Sequence, residues 1–131
     1  MTLVFDTTSL SGLLDNDDEI IREVTKADYD RLLVPLAADA ELRYGFMYGK
    51  KSEENLANYT LLKRNIVLEY INPNQDTAII YADLAAWCRK HGKSLSNNDL
   101  WIAATSIQTG GSLLTLDKDY GVLPQIRLID F

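Results

Sequence analysis

Short apolar runs alternate with longer amphipathic stretches along the chain. Leu3-Val4-Phe5 is an apolar triplet ending at Asp6, and it predicts a buried strand. Thr7, Thr8 and Ser9 are N-cap candidates for a helix to about Leu14. A second helix is expected from Glu19 to Lys26. Leu32-Leu33-Val34 predicts another buried strand, and Pro35 marks the start of a helix that reaches about Gly49. Ser52 to Asn65 reads as a further helix and Ile66 to Ile71 as a strand, before Asn72-Pro73-Asn74 breaks the chain. A long helix follows from about Gln75 to Lys90, stopped by Gly92, and another from Asn98 to Gln108, stopped by Gly110-Gly111. Ser112 to Leu116 predicts a strand, Asp117-Lys118-Asp119 a turn, and Ile126 to Ile129 a last strand.

Short apolar strands alternating with helices predict an α/β fold, with a central, mostly parallel sheet covered by helices on both faces. The length of 131 residues, with no linker and no repeat, fits one domain over 1–131. Ligands in such sheets bind beyond the carboxyl ends of the strands. Asp6 and Asp117 both fall there.

Four acidic residues stand out by position. Asp6 follows a buried strand directly and, taken alone, suits a helix N-cap. Glu41 is expected in mid-helix, where its neighbours one turn away are Ala37, Ala38, Tyr44 and Gly45, none of them charged. Asp99 opens a helix, with Ser96 as cap and Asp99 three residues on, as in a capping box. Asp117 lies between a strand and a loop, where a solvated turn is the ordinary reading. Gathered at one edge of a parallel sheet, four carboxylates would repel one another unless protonated or bridged by cations. Oxygen-only ligand sets suit the hard ions Mg²⁺ and Mn²⁺. Thr7, Ser96, Asn98 and Thr115 sit beside these acids and are placed to hydrogen-bond them from a second layer.

Composition narrows the choice. A net charge of −6 and a pI near 4.6 argue against a protein that coats nucleic acid by bulk charge, but not against an enzyme that binds it through cations. Cys88 is the only cysteine, so no intramolecular disulfide can form; its helical neighbours suggest a small buried thiol in a reducing cytosol. His91, the only histidine, suits the end of a helix, where it complements the dipole. The first residues carry no basic leader, and no apolar run approaches the length of a membrane span. A cytoplasmic protein is the expectation.

With these residues in order, the sequence resembles the PIN-domain ribonucleases, in particular the VapC-type toxins of bacterial toxin–antitoxin pairs. The likeness covers nearly the whole chain. It runs through Leu3-Val4-Phe5-Asp6-Thr7, Ala40-Glu41-Leu42-Arg43-Tyr44-Gly45, Asn98-Asp99-Leu100-Trp101-Ile102-Ala103-Ala104, and Leu114-Thr115-Leu116-Asp117-Lys118-Asp119-Tyr120. The last is similar to the family's Thr-x-Asp-x-Asp-aromatic ending. Thr8 departs from the family, which usually has Asn there; Thr8 is expected to cap the helix in its place.

The resemblance implies a PIN-like fold and a metal-dependent endoribonuclease. Asp6, Glu41, Asp99 and Asp117, with Asp119 assisting or structural, would hold one or two Mg²⁺ or Mn²⁺ ions. Water activated there would cleave an RNA phosphodiester to a 5′-phosphate and a 3′-hydroxyl. Arg43 and Lys118, next to site residues, are the candidates for RNA phosphate contact, and single-stranded or loop RNA is the expected target. The implied partners are a VapB-type antitoxin that covers the acids and a second copy in a homodimer. Tyr44, Phe46, Met47, Tyr48 and Tyr59 form an aromatic-rich region open to either core packing or such contacts. A catalytically inactive PIN-fold binding module is the alternative. A phosphatase of the haloacid-dehalogenase type needs a second Asp two residues after the first, where Thr8 stands.

Overall fold

The computed structural model describes residues 1–26 and 28–131. Four strands, β1 (Thr2–Phe5), β2 (Arg31–Pro35), β3 (Glu69–Ile71) and β4 (Ser112–Leu114), form one sheet in the order β3-β2-β1-β4, every pair parallel. The helices are α1 (Thr7–Leu14), α2 (Asp18–Val24), α3 (Leu36–Tyr48), α4 (Ser52–Asn65), α5 (Gln75–Lys90) and α6 (Asn97–Thr109). A 3₁₀ turn spans Lys118–Val122.

The apolar triplets end up where their lack of alternation demands. Leu3, Val4 and Phe5 of β1 are fully buried, as are Leu33 and Val34 of β2 and Leu113 and Leu114 of β4. Such strands need cover on both faces. The connections supply it: the chain steps from β1 to β2 to β3 through α1–α2 and α3–α4, then crosses back past β1 to β4 through α5–α6. Right-handed crossovers running in opposite directions put their helices on opposite faces. The reversal falls between β1 and β4, so the crevice at their carboxyl ends is the switch point where such sheets bind ligands.

Several boundaries differ from expectation, each for a local reason. Pro35 is the last residue of β2 and the N-cap of α3, not its first helical residue. α2 starts at Asp18, because the Asp17 carboxylate accepts the N–H groups of Glu19 and Ile20. Ile66 still bonds Leu62 O at 3.0 Å as the cap of α4, so β3 starts only at Glu69. β4 stops at Leu114, since Thr115 and Leu116 turn toward α1. The expected strand 126–129 reduces to one parallel bridge, Leu113 to Leu128, with Leu113 N–H donating to Arg127 O at 2.7 Å and Ile129 N–H to Leu113 O at 2.9 Å.

Cys88 is buried on α5, and His91 caps that helix with its ring 4.2 Å from Trp87. Among the described residues no helix is long and apolar enough to cross a membrane.

Candidate active site

Strand β1 delivers Asp6 to the switch point, and α1 begins on it. The Asp6 carboxylate accepts the N–H of Ser9 at 2.9 Å, and the Ser9 hydroxyl accepts the N–H of Asp6 at 3.1 Å. Asp6 is therefore the cap, and Thr7, Thr8 and Ser9, expected as cap candidates, lie inside the helix. This frees the two threonine hydroxyls. Thr8 Oγ1 lies 2.8 and 2.9 Å from the two Asp6 oxygens, and the Thr115 hydroxyl donates to Asp6 Oδ2. Each of these hydroxyls also accepts a backbone N–H from the loop after β4, Leu116 to Thr8 and Asp117 to Thr115, both at 2.9 Å. Two backbone donors are thus relayed through hydroxyls onto one carboxylate. Asp6 is 2% exposed, and burial pushes its carboxyl above the usual range, with the hydroxyls and Ser9 N–H opposing that rise.

Glu41 stands half-buried on α3, and its Oε1 accepts the Thr7 hydroxyl at 3.1 Å. Burial raises its carboxyl, the Asp99 and Asp6 carboxylates nearby raise it further, and Thr7 and Asn98 hold it down. Asp99 lies in the first turn of α6, where Ser96 caps the helix by accepting Asp99 N–H at 3.1 Å. Asp99 Oδ1 accepts the Tyr120 hydroxyl at 2.9 Å. Asp117 caps the 3₁₀ turn, its Oδ1 accepting the N–H of Asp119 at 2.9 Å. Asp119 reaches the group through that backbone bond, while its side chain is exposed.

Tyr120 joins these parts. It is 1% exposed, and its phenol is raised well above the ordinary value by burial and by Asp6, Asp99 and Asp117. It hydrogen-bonds one of the four acids, Asp99, and feels the charge of two more, Asp6 and Asp117. In the sequence Tyr120 reads only as the aromatic of a motif and Thr8 as a cap; the hydroxyl on each is the available signal.

Among the described residues, ion pairs join Met1 to Asp30, Lys26 to Glu23, Arg31 to Glu69 and Arg43 to Asp39, and none involves the four acids. Arg43 is two residues from Glu41, which puts it on another side of α3. Its Nε bonds Asp39 at 3.0 Å and its guanidinium lies 5.4 Å from the Tyr59 ring centre. Adjacency in sequence does not bring it to the acids. Lys118 is exposed beside Asp117, on a groove of about 440 Å³. A second groove, of about 310 Å³, runs past Thr7 and Glu41 between α1, α3 and α4.

Asp6, Glu41, Asp99 and Asp117 thus share one sheet edge, yet no three His, Cys, Asp or Glu among the described residues close into a cage around one point. Mutual repulsion opposes a tighter approach. The donor set is all oxygen and without a basic partner, which fits a hard divalent cation.

A PIN domain model matches residues 3–125. The chain belongs to the PIN-domain family. Ribonuclease VapC4 of Mycobacterium tuberculosis is 30% identical over 115 residues, 82% of this chain and 86% of that one. Among solved structures, VapBC2 of Rickettsia felis bound to a promoter DNA fragment superposes with a TM-score of 0.87 at 23% identity, covering 98% of both chains. VapBC-1 of nontypeable Haemophilus influenzae gives 0.82 at 26% identity, covering 99% of this chain and 98% of that one. In this PIN domain the end of β1, helix α3, the first turn of α6 and the start of the 3₁₀ turn each carry one of the four acids.

Proposed function

We propose that this PIN-domain protein is a divalent-metal-dependent endoribonuclease, the toxin of a toxin–antitoxin pair. The observation that carries the reading is the set of four carboxylates at the switch point with no Lys or Arg partner among the described residues. A phosphodiester is also anionic and cannot approach such a cluster without divalent charge between them. When bound by Asp6, Glu41, Asp99 and Asp117, one or two Mg²⁺ or Mn²⁺ ions would acidify water and screen the phosphate.

The chain's own groups complete the arrangement. Thr8 and Thr115 hydrogen-bond the Asp6 carboxylate and orient it. Thr7 orients Glu41, and Ser96 fixes the first turn that carries Asp99. Lys118, exposed beside Asp117, is the nearest cation in sequence for an RNA phosphate.

The likeness to ribonuclease VapC4 and to VapBC complexes supports RNA as substrate and a VapB-type antitoxin as partner. Tyr44, Met47 and Tyr48 of α3 are 64, 80 and 82% exposed and form an apolar surface suited to the antitoxin or a second copy. Phe46 of α3 and Tyr59 of α4 are core residues.

The test is cleavage of single-stranded RNA by the purified protein with Mg²⁺ or Mn²⁺, with and without EDTA, beside Asp99→Asn. Chelation and the substitution should each abolish cleavage while the circular dichroism spectrum is kept. Full activity of Asp99→Asn would reject its assigned role.

A further inference from the structure

We infer that Tyr120 is a positioning residue for the metal: its hydroxyl holds one oxygen of Asp99 and leaves the other for the cation. This rests on the metal-dependent reading above. The bond runs from Tyr120 O–H to Asp99 Oδ1 at 2.9 Å, within hydrogen-bond range, and the residue is 1% exposed. The ring sits in the 3₁₀ turn that Asp117 caps, so the hydroxyl ties that turn to the first turn of α6. Two acids from separate elements are thereby held in register through one side chain.

The chemistry of a phenol suits this place better than the alternatives. A lysine ammonium would neutralise the carboxylates and compete with a divalent ion for them. A phenylalanine would fill nearly the same volume but leave Asp99 free to turn about its side-chain bonds. A buried phenol offers one hydrogen and no charge, so it orients an acid without satisfying the cluster's need for a cation. Hydrogen-bonding partners behind a metal ligand act in this way, fixing its orientation and basicity.

The fold contains its own control. Tyr59 is as deeply buried, and its hydroxyl also donates to an aspartate, Asp39 at 2.9 Å. Asp39 is paired with Arg43 and is not one of the four acids. Loss of a buried tyrosine hydroxyl can therefore be compared at two places, one beside the candidate metal centre and one away from it.

The experiment is equilibrium Mn²⁺ binding, read from the free-ion electron paramagnetic resonance signal, with the full-length protein at fixed pH. Tyr120→Phe should bind Mn²⁺ roughly 10- to 100-fold more weakly, the usual loss when a partner of a metal ligand is removed. Tyr59→Phe should bind as the wild type does. In an Asp99→Asn background, Tyr120→Phe should add no further loss, because the group it positions is already altered. Cleavage by Tyr120→Phe should recover toward the wild-type kcat at saturating Mn²⁺. Mn²⁺ affinity of Tyr120→Phe within about twofold of wild type would overturn the inference, as would equal losses in Tyr120→Phe and Tyr59→Phe. A wild-type protein that binds no Mn²⁺ would overturn the metal-dependent reading and this inference together.

Discussion

The Thr8 hydroxyl lies 2.8 and 2.9 Å from the two carboxylate oxygens of Asp6 and accepts the N–H of Leu116, 108 residues further along, at 2.9 Å. One side chain thus joins the end of β1 to the loop after β4, across the two strands that flank the switch point. The interaction orients a buried acid and satisfies a loop N–H at once, so removing it has two consequences.

Thr8→Val keeps the shape and deletes the hydroxyl. Leu116 N–H then loses its acceptor, and Asp6 loses a donor that favours its ionised form. The fold should lose about 1–2 kcal/mol in urea denaturation. The Asp6 carboxyl should rise further, which moves the acidic limb of the pH–cleavage profile to higher pH.

Asp6→Asn separates stability from activity. Asparagine caps a helix as well as aspartate does, so the start of α1 survives. The substitution removes a carboxylate that burial holds above its ordinary range. Cleavage should disappear while stability at neutral pH rises by about 1 kcal/mol, seen as a higher Tm without divalent ions.

The sign of the pH dependence follows from the same groups. Asp6 and Glu41 both have raised carboxyls, so the folded protein holds these protons more tightly than the unfolded chain. Their favourable contribution is present at pH below the unfolded value and is lost as pH rises through the folded one. In EDTA, the Tm advantage of Asp6→Asn over wild type should be small at low pH and grow as pH rises into the neutral range. Added Mn²⁺ should raise the Tm of the wild type and not that of Asp6→Asn. A Tm difference independent of pH would contradict the assigned shift.

Glu23 shows the opposite behaviour away from the site. It is 5% exposed and accepts Tyr29 O–H at 2.7 Å and Lys26 Nζ at 2.9 Å. Burial pushes its carboxyl up, but the two hydrogen bonds outweigh burial and leave it below the ordinary value, while the Tyr29 phenol is pushed up to about 12. Glu23 therefore stabilises the fold above its unfolded pKa, and this is lost as pH falls through its lowered folded value. Glu23→Gln should cost about 2 kcal/mol at neutral pH, a difference that shrinks in acid, with cleavage retained.

Gly111 has a packing requirement. A Cβ there would come within 2.6 Å of Val4 Cγ2 and 3.2 Å of Thr2 O, both on β1 beside the strand that Gly111 leads into. Gly111→Ala should destabilise the fold by about 1–3 kcal/mol by forcing β1 and β4 apart. Thermal unfolding checks the loss. Because Thr115 reaches Asp6 from the end of β4, cleavage should fall as well.

Much of this molecule was written locally. Fully apolar triplets such as Leu3-Val4-Phe5 required strands buried on both faces, and the helices between them required a parallel sheet. Ser96 capping Asp99 N–H is a contact over three residues and was legible as such. The positions of Asp6 and Asp117 at strand ends, and of Glu41 among small uncharged neighbours, made them candidates for one edge of the sheet.

Tertiary structure decided what those residues do to one another. Asp6 rather than a threonine caps α1, which leaves the Thr8 hydroxyl free to clamp it together with Thr115, across separations of 2 and 109 residues. Arg43, close to the site in sequence, turned away to Asp39, whereas Tyr120 came to hydrogen-bond Asp99. Periodicity, capping and turn preferences are properties of a few consecutive residues, so the chain alone determined the strands, the helices and where the carboxylates fall along it. The partner of a hydroxyl or a guanidinium depends on which distant backbone arrives beside it, and only the packed sheet and its crossovers determine that.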